Sequence, residues 1–233
     1  FVALVIGLLR IESRPPARAS GSMDEVFKKE PAYVRHTWPV RTLILTLAMV
    51  NLTASAYAVL LPVFARDIFG GDAGTLGVIW GAAGCGAFLG TVFLAHQRGH
   101  AGLAGTVVVG CAISAVSVAA FALAGWMPLA LVAMAGLGFG ISTVNVAINM
   151  LLQSMAPEAL RGRVVSFFSS TRFGFDALGG LVAGVVAAWL GARYTLLLEG
   201  VLLAGFVGLL ITWRHRLRTE VVAGSGVGGA TRD

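Results

Sequence analysis

Residues 129–152 read LALVAMAGLGFGISTVNVAINMLL, twenty-four positions without one charged side chain. A helix of that length rises about 36 Å, enough to cross a hydrocarbon core of about 30 Å. Apolar runs of similar length lie on both sides, at 43–64, 75–95 and 103–125 before it and at 164–190 and 194–213 after it. They are continuous and lack the period-two alternation of barrel strands, so they predict helices. Their connections are short, which makes successive helices antiparallel neighbours. The expected fold is all-α: a polytopic membrane protein with a six-helix bundle over 43–213.

Composition agrees. Of 233 residues, 57% are hydrophobic and only 12% charged, against roughly a quarter charged in soluble domains. That excludes a disordered chain, a nucleic-acid-binding domain and most soluble enzymes. The net charge of +6 does not reverse this, because the basic residues fall between apolar runs rather than along one solvated face.

Those basic residues orient the chain. With the segment before residue 43 placed in the cytoplasm, fourteen of the seventeen lysines and arginines lie inside. Only Arg66 and Arg193 lie outside, and Arg172 is within a span. This is the positive-inside pattern, and it puts the C-terminus in the cytoplasm. Trp38, Trp126, Trp189 and Trp213 fall at the expected interfaces, as an aromatic belt requires.

The flanks are different. Residues 1–9, FVALVIGLL, are too few to span and read as the end of a preceding transmembrane helix. Residues 10–42 read as a cytoplasmic linker, rich in Pro, Ser and Arg at first. Its later part, 23–39, mixes aromatic and basic residues; it suits an interfacial helix or a solvated loop equally. Residues 214–233 turn Gly-rich and are expected to form a disordered cytoplasmic tail.

Polar residues inside spans cost most in hydrocarbon and so carry most information. Ser142, Asn145, Asn149 and Gln153 follow spacings of three and four and share one helix face. Ser169, Arg172, Asp176 and Gly180 do the same one span later, and Asn51 and Ser55 make a shorter face in the first span. Such faces should turn toward protein or a water-filled cavity. Arg172 and Asp176 stand one turn apart and can neutralise each other. Either they are a buried structural pair, or Asp176 carries a proton or substrate with Arg172 tuning it. Glu199 reads as snorkelling toward Arg193 or making a helix contact, with proton coupling as the alternative. Gly77-x-x-x-Gly81, Gly86-x-x-x-Gly90 and Gly180-x-x-x-Gly184 are small-residue faces suited to close helix approach or to helix motion. Pro62 could kink the first span.

Enzyme signatures fail. His36, His96, His100 and His215 lie outside the spans with no carboxylate cluster at metal spacing. Cys85 and Cys111 sit alone in apolar runs. The chain has neither the serine–histidine set of an intramembrane protease nor a glycine–lysine phosphate loop. No catalytic residue, metal ligand or cofactor is assigned, and the chain is read as not an enzyme.

Three stretches resemble a known family. Residues 33–43 (YVRHTWPVRTL) resemble the lead-in to the seventh helix of major facilitator superfamily transporters. Residues 157–164 (PEALRGRV) resemble their loop between helices ten and eleven. Residues 178–184 (LGGLVAG) with 191–193 (GAR) resemble their eleventh helix and its exit turn. Within the superfamily the chain is most similar to the transmembrane secretion effector group, which includes enterobactin exporters. In residues 94–100 (LAHQRGH), His96, Gln97 and His100 replace the Asp, Arg and final Arg of the superfamily's L-A-D-R-x-G-R loop. That departure puts the charged cytoplasmic gate of this half in doubt.

The resemblance implies a C-terminal half, with the six spans as helices seven to twelve and residues 1–9 ending helix six. It implies alternating access about a midplane site. The substrate and proton pathway would then include Asn51, Ser55, Asn145, Asn149, Arg172 and Asp176. The cytoplasmic gating loops would include Arg98, Gly99, Arg161 and Arg163. Partners would be a small-molecule substrate such as a siderophore or drug, the lipid bilayer, and an N-terminal six-helix half in the same chain or a second copy. Nucleic acid is not among them. The implied setting is a bacterial inner membrane. The alternative is a half-transporter that does not transport and serves as a membrane scaffold or regulator.

Overall fold

A computed structural model describes residues 38–97, 100–156 and 161–227. All belong to the second of two units into which the chain divides, Thr37–Asp233. The helix end at 1–9, the linker through residue 37, Arg98, Gly99 and the last residues, 228–233, lie outside the described residues.

The described residues form six long helices: α1 (Trp38–Val63), α2 (Ala73–Ala95), α3 (His100–Leu123), α4 (Met127–Met155), α5 (Arg161–Leu190) and α6 (Ala192–Val227). Each contains a stretch long and apolar enough to cross a membrane. The chain is therefore a multi-pass, all-helical membrane protein.

Two boundaries differ from expectation. α1 begins at Trp38 rather than residue 43, and the Thr42 hydroxyl donates to the Trp38 carbonyl at 3.0 Å. α6 runs past Trp213 to Val227, into the stretch expected to be a disordered tail. Hydropathy marks where hydrocarbon ends, whereas helix hydrogen bonding continues through residues of good propensity such as Arg, Leu, Glu and Ala. At its other end α1 passes into a π-helical turn, Phe64–Ile68. Pro62 stands just before it; lacking an N–H, it leaves the Ala58 carbonyl without its usual helical donor.

Connections are tight. Gly70 and Gly191 take positive φ (58° and 83°) at the turns into α2 and α6, a conformation that disfavours a β-carbon. Asp72 caps α2 by accepting the Thr75 N–H at 3.1 Å. The N–H groups of Thr75 and Gly74 hold its carboxyl below the ordinary aspartate range.

Packing has an internal repeat. α1 packs on α5 as α4 packs on α2; α3 packs on α4 as α6 packs on α1; α3 also packs on α6, and α1 on α4. Exchanging α1–α3 for α4–α6 maps this pattern onto itself, the relation of an inverted pair of three-helix repeats. The tightest contacts obey the same exchange. A β-carbon on Gly86 of α2 would overlap the Ala135 carbonyl of α4, and one on Gly179 of α5 would overlap the Leu52 carbonyl of α1. The core at one end of the bundle gathers Leu60, Leu61 and Phe64 with Phe121, Met134 and Leu196. Phe64 and Phe121 stack with centroids 4.8 Å apart.

Glycine faces of identical spacing divide sharply. Gly86 and Gly90 are buried against α4, whereas a β-carbon added at Gly77 or Gly81 would meet no atom within 4 Å. Gly86→Val should therefore destabilise the detergent-solubilised protein by about 1–3 kcal/mol, since overpacking forces backbones apart. Gly77→Ala should be neutral or slightly stabilising. Thermal unfolding of both variants checks this; equal effects would refute the assigned packing.

Candidate functional site

The polar residues singled out in the spans fall into two groups. Asn51, at the middle of α1, is 4% exposed and Asn145 of α4 is 5% exposed. Asn51 Nδ2 donates to Asn145 Oδ1 at 3.0 Å and to the Leu47 carbonyl at 2.7 Å. This joins α1 to α4 across 94 positions of sequence. Ser55 is also buried; its hydroxyl donates to the Leu52 carbonyl at 3.0 Å, directly beneath Gly179. These three residues stitch the bundle from inside rather than lining its outer surface.

The second group lies nearer the surface. Asn149 is half-buried and accepts from Gln153 Nε2 at 2.8 Å. Ser142 bonds Thr91 of α2 at 3.0 Å. Arg172 is half-buried and Asp176 exposed, at the middle of the thirty-residue α5. Among the described residues, no Arg172–Asp176 ion pair forms. The guanidinium instead sits 5.3 Å from the Phe173 ring centroid, within cation–π range. A simple i,i+4 neutralisation is not what this pair does. Arg161 is exposed and Arg163 half-buried, both in the first turn of α5.

α2 and α5 present this surface. α5 buries only Phe168, Thr171, Gly179 and Ala183, and α2 only Ile79, Ala83, Gly86, Gly90 and Leu94. Each is one stripe of helical spacing, and the remaining circumference faces outward. Those outward faces carry Asp176, Trp80 and Phe173.

Sequence reasoning missed two residues here. Tyr57 of α1 and Trp80 of α2 bring their rings to 5.7 Å at 55°. A pair from separate helices leaves no spacing signal, although an aromatic well inside a span, away from the interfacial belt, is a usable hint. Of the readings for Glu199, burial fits the helix contact and not snorkelling. The residue is 8% exposed, one carboxyl oxygen has no hydrogen-bond partner, and it does not reach out to Arg193, which is exposed. Its position on the inward stripe of α6, beside Leu196 and Leu203, prevents snorkelling.

Fold and surface together define a multi-pass helical membrane protein. The family model described as transmembrane secretion effector matches residues 1–224, and the chain belongs to that family of major facilitator superfamily transporters. A curated relative, "Multidrug efflux pump Tap" of Mycolicibacterium fortuitum, is 28% identical over 215 residues, covering 89% of this chain and 52% of that protein. The chain thus spans about half the length of that relative. Among solved structures it is similar to the proton:xylose symporter XylE, with a TM-score of 0.57, 16% identity, and coverage of 81% of this chain and 50% of that one. This likeness shows the fold.

The Asn51–Asn145 bond should appear as thermodynamic coupling. A double-mutant cycle with Asn51→Ala and Asn145→Ala, read by reversible unfolding in mixed micelles, should give about 0.6–1.7 kcal/mol, the range measured for such bonds in membranes. Additive losses would show that the bond does not join α1 to α4.

Proposed function

We propose that this chain forms the C-terminal half of an exporter of small, drug-like molecules that works by alternating access. Asp176 carries the reading: an exposed carboxylate halfway along a membrane-spanning helix, with no ion pair among the described residues. Such a group is expensive beside lipid and marks a substrate or ion path. The Tap likeness supports drug efflux, and the half-length match supports pairing with a second six-helix half, in the same chain or in another copy. Siderophores remain a substrate class implied by the family resemblance.

In this reading α1, α2, α4 and α5 line the cavity, while α3 and α6 brace it. Asp176 carries the coupling proton, and Asn149 and Arg172 line the same path. Asn51, Ser55 and Asn145 hold its wall. Arg161 and Arg163, with Arg98 and Gly99, belong to the cytoplasmic gate. The positive-inside pattern supports a bacterial inner membrane with the C-terminus in the cytoplasm.

Asp176→Asn tests the coupling. The complete gene-encoded protein, reconstituted in vesicles with a proton gradient, should export antibiotics from a panel that wild type transports. The variant should insert and fold normally yet fall to the rate of empty vesicles. Undiminished export would remove Asp176 from the mechanism. No export by wild type would instead favour a membrane scaffold or regulator.

A further inference from the structure

We infer that Glu199 is a proton-operated latch that holds the first half of α6 against α3 and α1. The inference concerns the bracing helices and goes beyond the exporter reading. Its placement, its surroundings and a nearby exit to water carry it.

Glu199 lies on the stripe by which α6 attaches. Leu196 and Leu203, three residues before it and four after, are both buried. Leu196 shares a core with Val118 and Ala122 of α3, Ala56 and Leu60 of α1, and Ala183 of α5. A β-carbon added at Gly200 would lie 3.3 Å from the Ala119 β-carbon and 3.5 Å from the Ala115 carbonyl oxygen. Beside Glu199, therefore, α6 meets the backbone of α3. The carboxyl is enclosed at this junction with 8% of the residue exposed, and its Oε2 has no hydrogen-bond partner.

No cation answers it among the described residues. α6 packs on α3, α1, α5 and α4, and α4 carries no titratable side chain. On α3 the buried Cys111 stands one turn before Ala115. On α1 Tyr57 turns its ring to Trp80 of α2. On α5 Asp176 and Arg172 stand seven and eleven residues before Ala183, about two and three turns away. Arg41, Arg161, Arg163, His100 and the π-turn residues Arg66 and Asp67 belong to helix ends. On α6 itself, Arg193 and Tyr194 are exposed. A neutral carboxylic acid fits this junction, whereas a carboxylate there would be a buried charge without a counter-charge.

The exit is short. Arg193 stands six residues before Glu199, about 9 Å along the axis. Just before it, Gly191 takes its positive φ of 83° at the turn from α5. A carboxylate at 199 reaches water and that guanidinium only when the first turns of α6 lift from α3. The packed seam is thus the protonated, closed state, and loss of the proton selects a released one. One titrating group biases one two-state element.

Spin labels placed by Leu123→Cys and Tyr194→Cys report on the seam. Both positions are exposed, at the last residue of α3 and in the first turn of α6. The complete gene-encoded protein, stripped of its other cysteines, is held in nanodiscs. The distance between labels is measured by pulsed electron resonance from about pH 5 to about pH 10, above the ordinary glutamate range. One short distance should dominate at the acid end. A longer one should grow as pH rises, the ratio of long to short climbing about ten-fold per pH unit, as release of one proton requires.

Glu199→Gln cannot ionise and should keep the short distance throughout. Glu199→Leu, of similar volume, should do the same, so either variant decides the matter. Asp176→Asn and Tyr57→Phe should retain the wild-type response. A wild-type distance that ignores pH would overturn the latch. So would a response that survives in Glu199→Gln or Glu199→Leu, or one that disappears in Asp176→Asn. The readout is helix separation, so a protein that exports nothing yet shows this response would refute the exporter reading and sustain the latch.

Discussion

Six apolar helices gain nothing by exchanging lipid contacts for contacts with one another, since lipid tails are as apolar as leucine. What holds this bundle must therefore be close backbone approach and a few buried hydrogen bonds. Gly86 against the Ala135 carbonyl and Gly179 against the Leu52 carbonyl supply the first. The Asn51–Asn145 bond supplies the second. Each sits on a pairing that the internal repeat makes equivalent to another, so one solution to the packing problem is used twice. α1 and α4 exchange with each other under that repeat, and the amide bond joins them directly.

This economy explains the shape of the outer surface. Because α2 and α5 each attach through one narrow stripe, most of each helix is released from structural duty. A stripe containing glycine permits this: contact at the backbone is strong enough per residue that few residues are needed. The freed faces can then hold groups that would be intolerable in a packed interior, namely Asp176, Arg172 and the Trp80 indole. The polar side chains that remain inside are short or neutral and mostly bonded to a carbonyl on their own helix, as with Thr42, Thr46, Thr53 and Ser55. Glu199 is the conspicuous departure, a buried carboxyl with an unpartnered oxygen on a helix outside the proposed cavity.

The six spans, their type and their order were legible because hydrocarbon thickness imposes length and composition on each segment independently. Helix ends were less legible, since backbone hydrogen bonding outlasts the hydrocarbon at Trp38 and beyond Trp213. Register between helices was not legible. Gly77-x-x-x-Gly81 and Gly86-x-x-x-Gly90 have the same local pattern on one helix, yet only the second meets α4. The choice depends on where α4 lies, some fifty residues later. The polar faces were found by spacing, but their division was not: Asn51 and Asn145 turn inward to each other, while Asp176 turns outward. The Tyr57–Trp80 pair escaped because it is made by tertiary structure alone.

The central claim is that the outward face of α5 meets water inside a transporter, whereas exposed residues of bracing helices meet lipid. Thiol accessibility in native membranes tests it directly. Single cysteines are placed by Asp176→Cys and Val116→Cys in a protein lacking Cys85 and Cys111, and are exposed to a charged, membrane-impermeant maleimide. Val116 of α3 is 70% exposed and stands on a bracing helix. The account predicts rapid labelling at position 176 and none at 116. Protection at 176 equal to that at 116 would place this face of α5 against lipid or packed protein and contradict the account.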